Sequence, residues 1–237
     1  MNAMVYYAIG DVHGLADRLG DLHAAILDDA ARNGAPATIV HLGDYIDRGE
    51  DGRGVIDRIM KLQANPPPHI EAVQALMGNH ERLLIDAFDD KTGEGDEDWI
   101  LNGGQQTLAS YGIDVMDRAW DQKIDLAHIA WLRALPVTIP AERGLVFVHA
   151  GIEPEIYPDC GDQVRMWTRS KRFFETAEWP AREELRGVRV VHGHTPTDDE
   201  RPYADARRVN VDTGAVYGGP LTCVVLTPGA PDRFLYS

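Results

Sequence analysis

Nine residues in five short segments carry groups able to hold metal ions or move protons: Asp11 and His13; Asp44, Asp47 and Arg48; Asn79 and His80; His149; and His194. Each segment directly follows an apolar run, at 5–9, 38–42, 70–76, 145–148 and 188–191. Open α/β sheets present ligands at the carboxyl ends of their strands, so five such ends should converge on one place. Carboxylate, imidazole and amide oxygen together suit Mn²⁺, Fe²⁺ or Zn²⁺, and the set is too rich in imidazole for Ca²⁺. It also exceeds what one tetrahedral ion requires, which points to two ions. A pair of cations about 3.5–4 Å apart is suited to displacement at phosphorus, where it clamps both the attacking and the leaving oxygen. Taken singly, each segment has a plainer reading: a Gly-Asp turn, a buried histidine, or an Asp47-Arg48 surface pair worth under about 1 kcal/mol. Their joint order at the ends of apolar runs is what carries the inference.

The elements that must position these groups alternate. Val5–Ile9 reads as a strand, and Leu15, Leu19, Leu22 and Ile26 form one face of a helix closing near Asn33-Gly34. Residues 38–42 and 70–76 read as strands, with helices over 54–62 and 82–88 and a stop at Pro66-Pro67-Pro68. Residues 89–98 form an acidic, glycine-containing surface loop, followed by helical patterns over 99–111 and 125–135 that could flank the core. After the strands at 145–148 and 188–191, residues 209–211, 221–226 and 233–236 read as β-hairpin material. Strands alternating with helices indicate an α/β fold, and without a repeat or linker one domain over 1–237 is expected.

These segments resemble the phosphoprotein phosphatase (PPP) family of calcineurin-like metallophosphoesterases, the group of eukaryotic serine/threonine phosphatases and lambda-type bacterial phosphatases. Gly-Asp-x-His-Gly is Gly10, Asp11, His13 and Gly14. Gly-Asp-x-x-Asp-Arg-Gly is Gly43, Asp44, Asp47, Arg48 and Gly49, and Gly-Asn-His-Glu is Gly78, Asn79, His80 and Glu81. The later histidine motifs are His149-Ala150-Gly151, with Ala150 where eukaryotic members usually carry glycine, and Gly193-His194-Thr195. The resemblance implies a four-layer αββα sandwich with mixed β-sheets. It implies a first metal on Asp11, His13 and Asp44, and a second on Asp44, Asn79, His149 and His194, with manganese expected ahead of iron or zinc. His80 would be the general acid held by Asp47, and water activated between the two ions would attack phosphorus in line. Arg48 would bind phosphate oxygens together with Arg169, for which Arg165 and Arg172 compete. His192 is left to a supporting or packing role. Tyr217, in a segment resembling one near the family's site, fits a substrate border or the core about equally.

The resemblance implies a metal-dependent phosphomonoesterase, foremost a serine/threonine protein phosphatase. The alternative is a nucleotide hydrolase like the symmetrical diadenosine tetraphosphatases, whose greater length favours the protein reading for this short chain. A non-catalytic metal-binding module is disfavoured by the presence of His80, Asp47 and Arg48 together. The chain has 237 residues, 23 Lys plus Arg and 38 Asp plus Glu, a net charge of −15. Such a surface repels nucleic-acid polymers and anionic membranes while a cation-filled pocket still accepts a short phosphoester. Two cysteines, Cys160 and Cys223, make no disulfide framework, and the N-terminus lacks the pattern of a secretory signal. A cytoplasmic protein, monomeric and without a membrane partner, is expected.

Overall fold

The computed structural model describes residues 4–90, 92 and 96–237. Met1–Ala3, on which part of the reading of the N-terminus falls, and four positions of the acidic stretch at 89–98 lie outside the described residues. The first half runs β1 (Val5–Ile9), α1 (Ala16–Asn33), β2 (Ala37–His41), α2 (Gly52–Ala64), β3 (Ile70–Ala75) and α3 (Asn79–Asp89). The middle is helical: α4 (Asp96–Trp99), a π-helical turn over Ile100–Gly104, α5 (Gln105–Ser110) and α6 (Leu126–Arg133). The second half comprises β4 (Thr138–Pro140), β5 (Leu145–Val148), α7 (Asp162–Trp167), α8 (Lys171–Phe174), β6 (Arg189–His192), β7 (Tyr203–Ala204), β8 (Arg208–Asn210), β9 (Thr222–Leu226) and β10 (Arg233–Tyr236).

Two five-stranded mixed sheets form, in the orders β10-β9-β1-β2-β3 and β4-β5-β6-β8-β7. Alternation along the strands assigns each side chain to a layer. Tyr7 and Ile9 of β1, Ile39 of β2 and Val225 of β9 face α1, α2 and the middle helices. Ala8, Val40 and Val224 face the other sheet, meeting Phe147 of β5, Val191 of β6 and Val209 of β8. On the far face of the second sheet, Val146, Val148 and Val190 pack against Phe173, Trp179 and Leu185. Three apolar interfaces between four layers make the expected αββα sandwich.

One expectation changes. The run at 209–211 does not join a terminal hairpin; β8 pairs parallel with β6 in the second sheet, while β9 and β10 alone form the antiparallel pair at the end of the chain. Parallel partners are joined by long crossovers, so their pairing leaves no local turn signature. No helix among the described residues is long and apolar enough to cross a membrane.

A buried ionic clamp ties the first sheet to α1. Asp29 accepts from the Tyr7 hydroxyl at 2.8 Å and from both Arg233 nitrogens at 2.9 and 2.8 Å. The Arg233 hydrogen bonds hold the Asp29 carboxyl below its ordinary value against the opposing effect of burial. A carboxylate depressed on folding contributes stability above its unfolded pKa of about 3.9 and loses it as pH falls through the folded value. Asp29→Asn is therefore expected to lower stability by about 1 kcal/mol at pH 7, discounted for the half-exposed arginine, with the gap to wild type closing below about pH 4. Urea denaturation at the two pH values measures this.

Candidate metal centre

The site lies where β1, β2, β3, β5 and β6 end. The turns that follow these strands are tight, and several site residues take left-handed backbone angles: His13 (φ 43°), Asp44 (55°), Asp47 (68°), Arg48 (67°) and His194 (68°). Such angles cost of order 1–3 kcal/mol each for a side-chain-bearing residue and persist where surrounding contacts over-determine them. Gly78 shows how closely the turns approach one another, because a Cβ there would sit 2.3 Å from the Asp44 backbone nitrogen.

Glu81, in the first turn of α3, does the over-determining. Its carboxylate accepts from the backbone N–H groups of Asp44 (2.8 Å), Tyr45 (2.7 Å) and Gly78 (3.0 Å), fixing the β2 turn against the start of α3. Burial, followed by the Asp44 charge, pushes the Glu81 carboxyl up to about 7.

Asp44 is common to two groups of metal-capable side chains, His13–Asp44–His80 and Asp44–His149–His194, all buried. Asn79 Oδ1 lies 2.9 Å from both His149 Nε2 and His194 Nδ1, joining the second group. Asp11 stands beside that group, its two carboxylate oxygens each 3.1 Å from the His194 backbone nitrogen. Around His13 the side chains within metal-binding reach of one another are Asp44 and His80, while Asp11 meets the centre at the His194 backbone.

The ring nitrogens are committed in a consistent way. A carbonyl or carboxylate oxygen can only accept, so His13 Nδ1–H donates to Ile46 O (2.8 Å), His149 Nδ1–H to Leu42 O (2.9 Å) and His80 Nδ1–H to Asp47 Oδ2 (2.8 Å). Each Nε2 is left facing the centre. That is the support which orients histidine ligands of a metal. His80 Nε2 is buried without a hydrogen-bond partner, 3.9 Å from Asp44 Oδ2.

The charge balance also fits cations. Asp11, Asp44, Asp47, Glu81 and Asp212 are all buried here, and burying a carboxylate costs several kcal/mol unless opposite charge compensates it. Burial, then the Asp212 and Asp44 charges, raise the Asp11 carboxyl well above its usual range. Burial likewise lifts Asp212 to about 6. At His149 burial acts downward, but Asp44, through its charge and hydrogen bond, outweighs it and pushes the imidazole up to about 10. At His80 burial is likewise outweighed, by the Asp44 charge and the Asp47 hydrogen bond, and its value is raised. His13 and His194, dominated by burial, fall to about 3 and are neutral donors.

Two arginines face this centre. Arg48 Nη1 donates to His13 Nε2 at 2.8 Å, and its guanidinium lies over the Tyr217 ring at 5.8 Å. Arg169 Nε reaches His194 Nε2 at 3.3 Å. Its competitors are engaged elsewhere, Arg165 with Asp162 and Pro158 O, Arg172 with Glu155. Tyr217 is 66% exposed and so borders the site rather than the core.

Several supporting residues escaped the sequence reading. Asp47 accepts from Trp99 Nε1 (3.0 Å) and Thr107 Oγ1 (2.6 Å), while its own N–H donates to Thr107 (2.9 Å). Both partners sit in the segment read only as flanking helix, more than fifty positions from Asp47, and no local pattern marks them. Asp212, five residues before Tyr217, is likewise marked by no local pattern. Glu81 is part of a motif that assigns it no role. Thr107→Val should leave Asp47 under-donated in a dry site, lowering stability by about 1–3 kcal/mol. Denaturant unfolding of the variant checks this.

The sequence profile of the calcineurin-like phosphoesterase family matches residues 4–223. Over 237 aligned residues the chain is 27% identical to a bis(5'-nucleosyl)-tetraphosphatase PrpE [asymmetrical] of Geobacillus thermodenitrificans, covering 91% of this chain and 88% of the relative. It is also 27% identical to a symmetrical bis(5'-nucleosyl)-tetraphosphatase of Neisseria gonorrhoeae, covering 85% of this chain but 58% of that longer protein. Among solved structures, a cold-active protein-tyrosine phosphatase of a psychrophilic Shewanella species superposes with a TM-score of 0.68 at 16% identity, covering 99% of this chain and 82% of that one. At that identity the likeness concerns the fold.

Proposed function

The chain belongs to the calcineurin-like phosphoesterase family, and within its metal-dependent phosphoester hydrolysis we propose that the substrate is a dinucleoside polyphosphate. The observation that carries this is the near full-length match to a relative named as an asymmetrical bis(5'-nucleosyl)-tetraphosphatase, 91% of one chain on 88% of the other. A compact chain bears that name, which removes the argument from length against a nucleotide substrate. Dephosphorylation of phosphoserine or phosphothreonine is the second reading, supported by the motifs at 43–49 and 78–81.

His13, Asp44, Asn79, His149 and His194, with Asp11 beside them, would hold two divalent cations. When bound, such cations neutralise phosphate charge and acidify water. The chain's own groups do the rest. Arg48 and Arg169 draw in and orient phosphate oxygens, whose charge they stabilise as the bond to phosphorus breaks. Asp47, itself anchored by Trp99 and Thr107, holds His80 Nδ1–H so that Nε2 points to the departing oxygen and can deliver a proton there. Water supplies the new P–O bond, and the leaving oxygen departs with the electron pair of the old one.

Two experiments test this. Diadenosine tetraphosphate, phosphoserine and phosphothreonine peptides and p-nitrophenyl phosphate are compared as substrates. The dinucleotide is expected to show the highest kcat/KM and to give AMP plus ATP; preferential turnover of the phosphopeptides would establish the second reading. Chelation should abolish turnover of every substrate, and Mn²⁺ should restore it best. For His80→Asn, kcat on an alkyl phosphate should fall roughly 10²–10⁴-fold. The loss should be much smaller on the dinucleotide, whose leaving phosphate has a second pKa of only about 6 and scarcely needs the proton. Equal losses on both would remove His80 from the acid's role.

A further inference from the structure

Immediately after the metal-site residue His194, the chain walls a cavity of about 550 Å³ between the 195–203 loop, α8 and β8. This volume is in the range of small-molecule sites, about 300–1,000 Å³. Arg208 lies at its base. It is 7% exposed, and its guanidinium is sandwiched between the Tyr203 ring at 4.0 Å and the Phe174 ring at 5.0 Å. A buried arginine ordinarily has a carboxylate partner. Among the described residues this side chain forms no ion pair: Nε donates to Phe174 O at 3.4 Å, Nη1 lies 3.3 Å from His192 Nε2, and Nη2 has no hydrogen-bond partner.

His192 is built to hold it there. Its Nδ1–H donates to Gly193 O at 3.0 Å, which leaves the Nε2 lone pair to accept from Arg208. The wall is fixed as well, because Asp205 accepts from the Tyr203 hydroxyl at 2.9 Å and from the Arg208 backbone N–H at 2.7 Å. Two further cavity residues, Thr195 and Thr197, carry buried hydroxyl oxygens without a partner. Their backbones are pinned to the metal-site side of the fold, Thr195 O by Asn210 Nδ2 (2.8 Å) and Thr197 N by Asp212 O (3.0 Å). Tyr203 remains 41% exposed, and the carboxylates of Asp198 and Asp199 stand at the mouth.

We propose that this cavity binds a nucleoside end of the substrate, the base held by Tyr203, Arg208 and the two threonine hydroxyls, and the ribose hydroxyls by Asp198 and Asp199. The lining selects that class. A planar base offers a face to the aromatic ring, and its ring nitrogens and carbonyl oxygens accept from the open Arg208 nitrogen. Ribose hydroxyls donate to the carboxylates of Asp198 and Asp199, the latter also accepting the Arg201 N–H at 3.2 Å. The cavity wall begins at Thr195, one residue beyond His194, so the cavity lies next to the metal centre. This assignment rests on the nucleotide reading for its physiological ligand, but the cavity can be tested apart from that reading.

The test uses the metal-loaded protein, wild type, Tyr203→Ala and Thr197→Val. The second variant removes only a hydroxyl that has no protein partner, so its fold is secure. KM for diadenosine tetraphosphate should rise about 5–100-fold in Tyr203→Ala, the span of a lost base–aromatic stack. It should rise several-fold in Thr197→Val, while kcat/KM for p-nitrophenyl phosphate stays at the wild-type value in both. Unchanged dinucleotide KM in both variants, or equal losses on the two substrates, would overturn the nucleoside site while leaving dinucleotide hydrolysis standing. If the dinucleotide is not cleaved at all, inhibition of p-nitrophenyl phosphate turnover decides. AMP inhibiting at least tenfold more strongly than inorganic phosphate, with that advantage lost in Tyr203→Ala, upholds the site. AMP no stronger than inorganic phosphate overturns it.

Discussion

The anion of Asp44, buried at the end of a strand, is the charge around which the rest of this centre is arranged. It lies 3.5, 3.9 and 3.3 Å from the imidazole nitrogens of His13, His80 and His149, and it accepts the His80 backbone N–H at 3.1 Å. Burial opposes its charge, yet the imidazoles around it hold its carboxyl well below the ordinary range. Four further carboxylates, Asp11, Asp47, Glu81 and Asp212, are buried around the same turns. A protein accepts so much desolvated negative charge where cations are to be held. The charge of the site and the charge of the surface therefore obey different rules: a −15 chain can still draw in a phosphoester once two divalent ions are bound.

Holding those carboxylates close together demands backbone that the chain would not otherwise adopt. Left-handed angles at five site residues are offset by contacts between the motifs, chiefly the three N–H groups that Glu81 collects from two separate turns. The sandwich makes this possible because its layers are anchored independently of the site. The inter-sheet cluster joins β1, β2 and β9 to β5, β6 and β8, and the Asp29 clamp joins α1 to β1 and β10, so this packing fixes where the loops emerge. Rigid strands carry short strained turns, and those turns carry the donors.

The same logic extends outward from the centre. His192 and His194 lie on either side of Gly193, where a Cβ would come within 2.1 Å of Asp11 Oδ1. One imidazole turns to the metal site and the other to Arg208, so a single tight segment organises two neighbouring spaces. Tyr217 and Arg48 border the centre as well, the guanidinium 5.8 Å from the ring.

The α/β alternation, the strand ends and the motif residues were legible because they are encoded locally, as apolar runs of four to seven residues ending in Gly, Asp, Asn and His at short spacings. The helices expected to close near 33 and to run over 54–62 and 82–88 form at 16–33, 52–64 and 79–89, their ends extending by up to three residues. Tertiary structure alone decided the placement of β8 in the second sheet, because a parallel pairing has no turn to announce it. It also decided that Arg169, and not Arg165 or Arg172, reaches His194, and that Trp99 and Thr107 hold Asp47 across separations of 52 and 60 residues. It set which nitrogen of each histidine faces inward, since that depends on which carbonyl the other nitrogen meets. Residue type and local spacing specify which groups are available for chemistry. Only packing between distant segments determines which of them meet, and with what charge.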